Sequence, residues 1–177
     1  IYDNTKKLKF LNFLCNIYLT VIRGTPVVVQ LLIIYFVIFS SVRIDKSFAA
    51  ILAFGINSGA YQAEIFRSGI NSVPKGQMEA GRSLGFSYPQ TMINIIMPQV
   101  IKNVLPTLAN EFIVLMKETS VAGYIALEDL TKAGDVIRSR TYSAMMPFLA
   151  VALLYLIMVM LFSYLVKLLE RRLARSG

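Results

Sequence analysis

The side chains with most chemistry to offer in this sequence sit inside apolar stretches. Asn57, Tyr61, Glu64 and Ser68 recur at helical spacing and would form one polar stripe on the helix that begins with the run Ser47–Phe66 and continues past it. Further along, Asn103, Thr107 and Asn110 share a face of a helix from about Gln99 to Met116, with Glu111 and Glu118 near its edge. Amides, hydroxyls and carboxylates so arranged can bind a polar solute along a route through the helices. They can equally join helix to helix, at roughly 0.6 kcal/mol per bond in a membrane. Glu64 or Glu111 could also serve as a general base, but no paired nucleophile accompanies either. Histidine is absent and Cys15 is the sole cysteine. That excludes serine–histidine–acid and cysteine–histidine catalysis, histidine-ligated metal and an internal disulfide framework.

The elements that must hold these groups are membrane helices. Apolar residues make up 56% of the chain and charged ones 16%, against roughly 25% charged in a soluble domain. Val27–Val42 is uncharged and just reaches the length needed to cross a hydrocarbon core of about 30 Å. Ser47–Phe66 is apolar in its first half only, so it cannot face lipid all round. The third candidate, with Lys102, Pro106, Asn110 and Glu111, scores poorly on hydropathy alone. Ala144–Val166 is the clearest, uncharged and ending against Lys167, Glu170, Arg171, Arg172 and Arg175. Gly55 and Gly59 form a small-residue pair suited to close helix packing, and Pro106 should kink its helix or free a carbonyl. The chain opens on Ile1 rather than Met, so the span count is read as a minimum. No internal repeat, low-complexity tract or linker interrupts it.

The net charge of +8 gains its meaning from position. Loops kept in the cytoplasm carry the Lys and Arg excess. With the C-terminal cluster placed inside, Thr119–Ser143 becomes an external loop in which Glu128, Asp129 and Asp135 offset Lys132, Arg138 and Arg140. Arg67–Pro98, with Lys75 and Arg82, falls inside, as do Lys6, Lys7, Lys9 and Arg23. The charge caps helices at one side of a bilayer, which excludes a nucleic-acid face.

Residues 71–98 form a long cytoplasmic segment. Ser72 suits a helix cap and Pro74 the first turn after it. Gly85 suits the left-handed residue that closes the helix, and Ser87 with Gln90 is a capping-box pattern that opens a second short helix. On the first of these, Lys75, Met78 and Arg82 share a stripe beside Glu79 and Ser83. That mixture fits either a protein groove or an ordinary membrane interface.

Glu79-Ala80-Gly81, three residues, Gly85, nine residues, Ile95, one residue and Met97-Pro98 resembles the Glu-Ala-Ala loop of ABC importer permeases, pattern EAA-x3-G-x9-I-x-LP. Gly81 and Met97 are mild departures from Ala and Leu. The stretch Ala60–Ile70, Arg23-Gly24-Thr25-Pro26 with Val29-Gln30, and Lys117-Glu118-Thr119-Ser120 resemble further marks of that family's polar amino-acid branch. The resemblance implies an all-α polytopic bundle of the type I permease fold, with four of the usual five spans present. It implies one transmembrane domain over residues 1–177 whose first span precedes this chain. It assigns docking to Met78, Glu79, Ala80, Gly81, Arg82 and Gly85, and partners in separate ABC ATPase subunits, an extracytoplasmic amino-acid-binding protein and a second permease subunit. Because the chain has no GxxxxGK[ST] loop, ATP and Mg would sit on the ATPase, with no cofactor here. The candidate solute path is Asn57, Tyr61, Glu64, Asn103, Thr107, Glu111 and Glu118. Set beside that importer reading stand a passive channel or scaffold and an intramembrane enzyme acting through Glu64 or Glu111.

Overall fold

A computed structural model of the chain describes residues 6–175, with side chains from Lys9 to Arg172. Ile1 and the side chains of Lys6, Lys7 and Arg175 therefore lie outside the description. The described residues are helical, with no strand among them. In order come α1 (Lys6–Gly24), α2 (Val27–Ile33), α3 (Lys46–Ser72), α4 (Lys75–Ser83), α5 (Tyr88–Thr91), α6 (Met97–Glu118), α7 (Leu130–Thr141) and α8 (Met145–Arg175). Met145–Arg172 is long and apolar enough to cross a membrane by itself, and Lys9–Gly24 with Val27–Ile38 passes the same test as a pair bent by 108°. α3, 27 residues, and α6, 22 residues, span about 40 and about 33 Å, but the polar residues named above dilute their apolar character.

The chain divides into two compact units. The first comprises the described residues up to Tyr61 together with Leu115–Leu153. Here α1 stops at Gly24 because Pro26 lacks an N–H and drives the preceding Thr25 out of helical geometry. α2 then runs into a π-helical turn, Ile34–Ile38, and ends. The expected Val27–Val42 span is thus shorter than its apolar run. Ser40 donates back to the Val37 carbonyl at 3.0 Å, a local bond of the kind that competes with helix continuation. Ala49, Ala50 and Ala53 put only methyl groups on one face of α3, which lets Leu31 and Ile34 pack against it. Ala122 and Ile125 complete this core.

Thr119–Ser143, expected as a loop, is mostly helical: a 3-10 turn over Thr119–Ile125 leads through a left-handed Ala126 into α7. Asp129 organises the junction. One carboxylate oxygen accepts from the Lys132 N–H at 2.6 Å as the cap of α7, and the other from the Gly123 N–H at 2.7 Å. The Gly55/Gly59 pair does not mediate a close helix crossing in this unit. A Cβ at Gly55 would meet nothing within 4 Å, and one at Gly59 only the Tyr18 hydroxyl.

The second unit comprises Gln62–Val114 and the chain from Leu154 onward. Val73, Ile96, Val100 and Val104 form its core, with Ile65, Met78, Met92, Ile95, Met97 and Leu108 packed round it. Ile96, Val100 and Val104 follow one another at intervals of a helical turn. The close approach occurs at Gly69, where a Cβ would lie 2.2 Å from Val104 Cγ1. Phe112 and Phe162 meet edge to face with ring centroids 5.5 Å apart.

Two local expectations in this unit change. Ser72 does not cap α4; it closes α3, and Pro74 takes the cap position in extended geometry. The second short helix is no separate element, because α5 passes through a π-helical turn, Met92–Ile96, into α6. Its capping box forms as read, with Ser87 and Gln90 bonding reciprocally. Pro106 is carried within α6 without ending it.

Candidate functional site

In the first unit a cluster of amides sits at the bend between α1 and α2. The two protons of the Gln30 amide nitrogen are spread over three acceptors, the Ile22 carbonyl at 2.8 Å, the Thr25 carbonyl at 3.1 Å and the Thr25 hydroxyl at 2.8 Å, so that one N–H is shared. It thereby satisfies carbonyls that the interrupted helix leaves without a helical partner. Its Oε1 accepts from Asn57 Nδ2 at 3.0 Å, so the pair links α3 to the bend. Both residues are buried, and among the described residues Asn57 Oδ1 has no hydrogen-bond partner. Tyr61, one turn beyond Asn57, lies under the Arg23 guanidinium, 5.7 Å from its ring centroid, within cation–π range.

Also in this unit, Ser120, Tyr124, Asp129, Lys132, Asp135 and Phe148 line a cleft of 310 Å³. Hydrogen bonds from Arg138 and then Lys132 hold the Asp135 carboxyl below the usual carboxylate range. A lowered folded-state pKa means that the stabilisation is present above the unfolded value of about 3.9 and is lost as pH falls through the folded one. Asp135→Asn is therefore expected to lower the neutral-pH midpoint slightly, the pairs being largely exposed, and to leave the acid midpoint unchanged, so that a pH series of thermal unfolding shows a correspondingly shallower acid limb.

In the second unit Glu64, Ser68, Ser72, Asn103 and Thr107 come together round a cleft of 440 Å³. Glu64 carries two bonds from Arg67, one of them from Nε at 2.9 Å. A carboxylate so engaged is a poor general base. Asn103 Nδ2 donates to the Ser72 hydroxyl at 3.0 Å, and that hydroxyl to the Gly69 carbonyl at 2.7 Å. Glu111, on α6, is half-buried and does not line the cleft. Glu118 belongs to the first unit, where it ends α6.

The segment expected to dock is α4 and the turn after it. Gly85 adopts φ +88°, the left-handed geometry that glycine enters without a Cβ penalty. Around it Gly85 N–H donates to Arg82 O at 3.0 Å and Phe86 N–H to Gly81 O at 3.2 Å, which is a Schellman closure. Arg82 Nη1 adds a bond to Phe86 O at 3.1 Å. Glu79, Ala80 and Arg82 are exposed, but Met78 is not part of an exposed stripe; it is half-buried against the core of the unit. Gly81 is buried too, facing Thr91 and Ile95 so closely that a Cβ would lie 2.5 Å from Thr91 Cγ2. The apolar group on the outer surface is Leu84, 77% exposed, with Phe86 and Tyr88 beside it. Leu84 lies off the helical stripe of α4, because the closing turn swings the residues after the helix outward.

The family described as the binding-protein-dependent transport system inner membrane component matches residues 4–175. Among curated relatives, the glutamine transport system permease protein GlnP of Escherichia coli K12 is 40% identical over 91% of this chain and 75% of its own length. The putative glutamine transport system permease protein GlnP of Rickettsia typhi is 38% identical over 92% and 75%. The arginine transport system permease protein ArtQ of Bacillus subtilis is 37% identical over 91% and 74%. A solved crystal structure of an amino acid ABC transporter with histidines superposes with a TM-score of 0.86 at 44% identity, covering 96% of this chain and 78% of that one.

Proposed function

We propose, because the chain belongs to the family of binding-protein-dependent transport system inner-membrane components, that it is the permease subunit of an ATP-driven importer of polar amino acids. Its spans form the translocation path by alternating access, and α4 with the Gly85 turn docks into a separate ATPase subunit. The observation that carries this reading is the construction of α4. One side, through Met78 and Gly81, is fastened to the core beside α6, while Glu79, Arg82 and Leu84 stand exposed. A helix anchored on one side and open on the other can take a push from a partner and pass it on. ATP and Mg belong to that partner, an extracytoplasmic binding protein delivers the cargo, and a second permease subunit completes the path. The basic cluster in the last turns of α8 supports a cytoplasmic C-terminus.

The solute route in this reading passes Ser68 and Thr107 in the cleft of the second unit. The intramembrane enzyme is the weaker alternative, given the Arg67 grip on Glu64. A passive pore would move solute without nucleotide. Proteoliposomes holding the permease with its ATPase separate the two: uptake of labelled glutamine or arginine should require ATP and the binding protein. Gly85→Asp places a side chain where φ is +88°, so it should cut uptake about tenfold or more through strain of about 1–2 kcal/mol in the docking turn. Normal assembly with undiminished uptake per ATP in that variant would sink the docking role.

A further inference from the structure

We infer that Asn103 and Ser72 form a latch that fixes the end of α3 to α6, so that movement of the docking helix enters the spans in a set register. The inference rests on the coupling role proposed for α4 and makes both residues positioning groups rather than solute ligands.

The hydrogen bonds have only one sense. Ser72 has a single hydroxyl proton, and it goes to the Gly69 carbonyl at 2.7 Å. Towards Asn103 the hydroxyl can then only accept, and the Asn103 amide supplies the proton at 3.0 Å. One oxygen thus joins the last turn of α3 to the side of α6. It does so beside a close approach of those helices, since Gly69 leaves no room for a Cβ against Val104, the residue after Asn103.

Ser72 is also the last residue of α3, and only Val73 and Pro74 separate it from α4. Val73 is buried with Ile96, Val100 and Val104, and Met78 of α4 packs on the same cluster. A displacement of α4 is therefore delivered to the Ser72 end of α3. Apolar contacts are non-directional and let packed helices slide; a hydrogen bond does not. Without the latch the push would be absorbed as slippage of valine faces past one another.

The test uses the assembled transporter in proteoliposomes, with labelled glutamine and arginine each tried as the probe. Asn103→Leu and Ser72→Ala should each lower solute transported per ATP hydrolysed about fivefold, the factor a net hydrogen bond is worth in an equilibrium. The KM for uptake should stay within about twofold, the double variant should be no worse than either single one, and Ser72→Thr, which keeps the hydroxyl, should retain coupling. A raised KM with transport per ATP unchanged would make Asn103 a solute ligand and overturn the latch. So would additive losses, or a lowered unfolding temperature with coupling intact. If the unaltered transporter shows no ATP-dependent uptake, the coupling reading itself fails, and the latch with it.

Discussion

Gly69→Ala is expected to lower the unfolding midpoint of the permease in detergent, whereas Gly55→Ala, a few turns earlier on the same helix, should raise it slightly. Both substitutions exchange glycine for the best helix former, a gain of about 0.8–1 kcal/mol in a helix interior. At Gly55 nothing lies within 4 Å of the new methyl group, so the gain stands. At Gly69 the methyl would sit 2.2 Å from Val104 Cγ1, far inside normal carbon contact, and at 3.4 Å from Val100 Cγ1. Val104 is 3% exposed, and a β-branched side chain in a helix has one strongly preferred rotamer, so it cannot swing aside. The helices must separate, at about 1–3 kcal/mol for overpacking, and the Asn103–Ser72 bond stretches with them. The clash outweighs the propensity. Val104→Ala removes the offending methyl groups at the cost of a cavity, so the pair Gly69→Ala with Val104→Ala should be less destabilised than the two single effects added. Equal responses at Gly55 and Gly69 would show that α3 and α6 do not meet there.

That contrast also marks what the sequence could reveal. A GxxxG spacing at Gly55 and Gly59 invites a packing interpretation, yet which glycine a neighbour approaches depends on tertiary placement that spacing does not encode. Signals carried by the chain's own neighbourhood are legible: Gly85 at positive φ and the Ser87–Gln90 capping box follow from local stereochemistry, and the apolar α8 from its uninterrupted run. The α4–α6 segment was legible as a motif, but the orientation of its members was not. Met78 reads as an exposed contact on a helical wheel and turns inward because Val73 and Ile96 offer it a core. Gly81 is the departure from the familiar pattern, and Thr91 and Ile95 occupy the space a second alanine would need. The connection over Thr119–Ser143 folds into helical turns that its mixed charges do not announce, because Asp129 uses both carboxylate oxygens to cap and close them. Gln30 was visible only as part of a family mark, and nothing in its own neighbourhood foretold that its amide would close the break before it.

Gln30→Leu is the substitution expected to cost most in the first unit, and its effect should be on stability and on the bend together. Leucine matches the volume but supplies no hydrogen bond, so the Ile22 and Thr25 carbonyls lose the donor they now share. Asn57, 2% exposed, loses its acceptor as well, and with Oδ1 already unpartnered its whole amide would be buried unsatisfied. Each such group costs about 1–3 kcal/mol, which puts the loss at roughly 3 kcal/mol or more, enough to be seen as poor recovery of folded permease from the membrane. Gln30→Glu should also be damaging, because a carboxylate would keep the Asn57 contact but face two carbonyl oxygens with no proton to give. Asn57→Leu made together with Gln30→Leu should recover part of the loss, since two apolar groups in place of a hydrogen-bonded pair leave fewer orphans than one. Thermal unfolding of the two single variants and the double one measures that difference. Full additivity would mean that the Gln30–Asn57 bond contributes nothing, and that Gln30 acts on the bend alone.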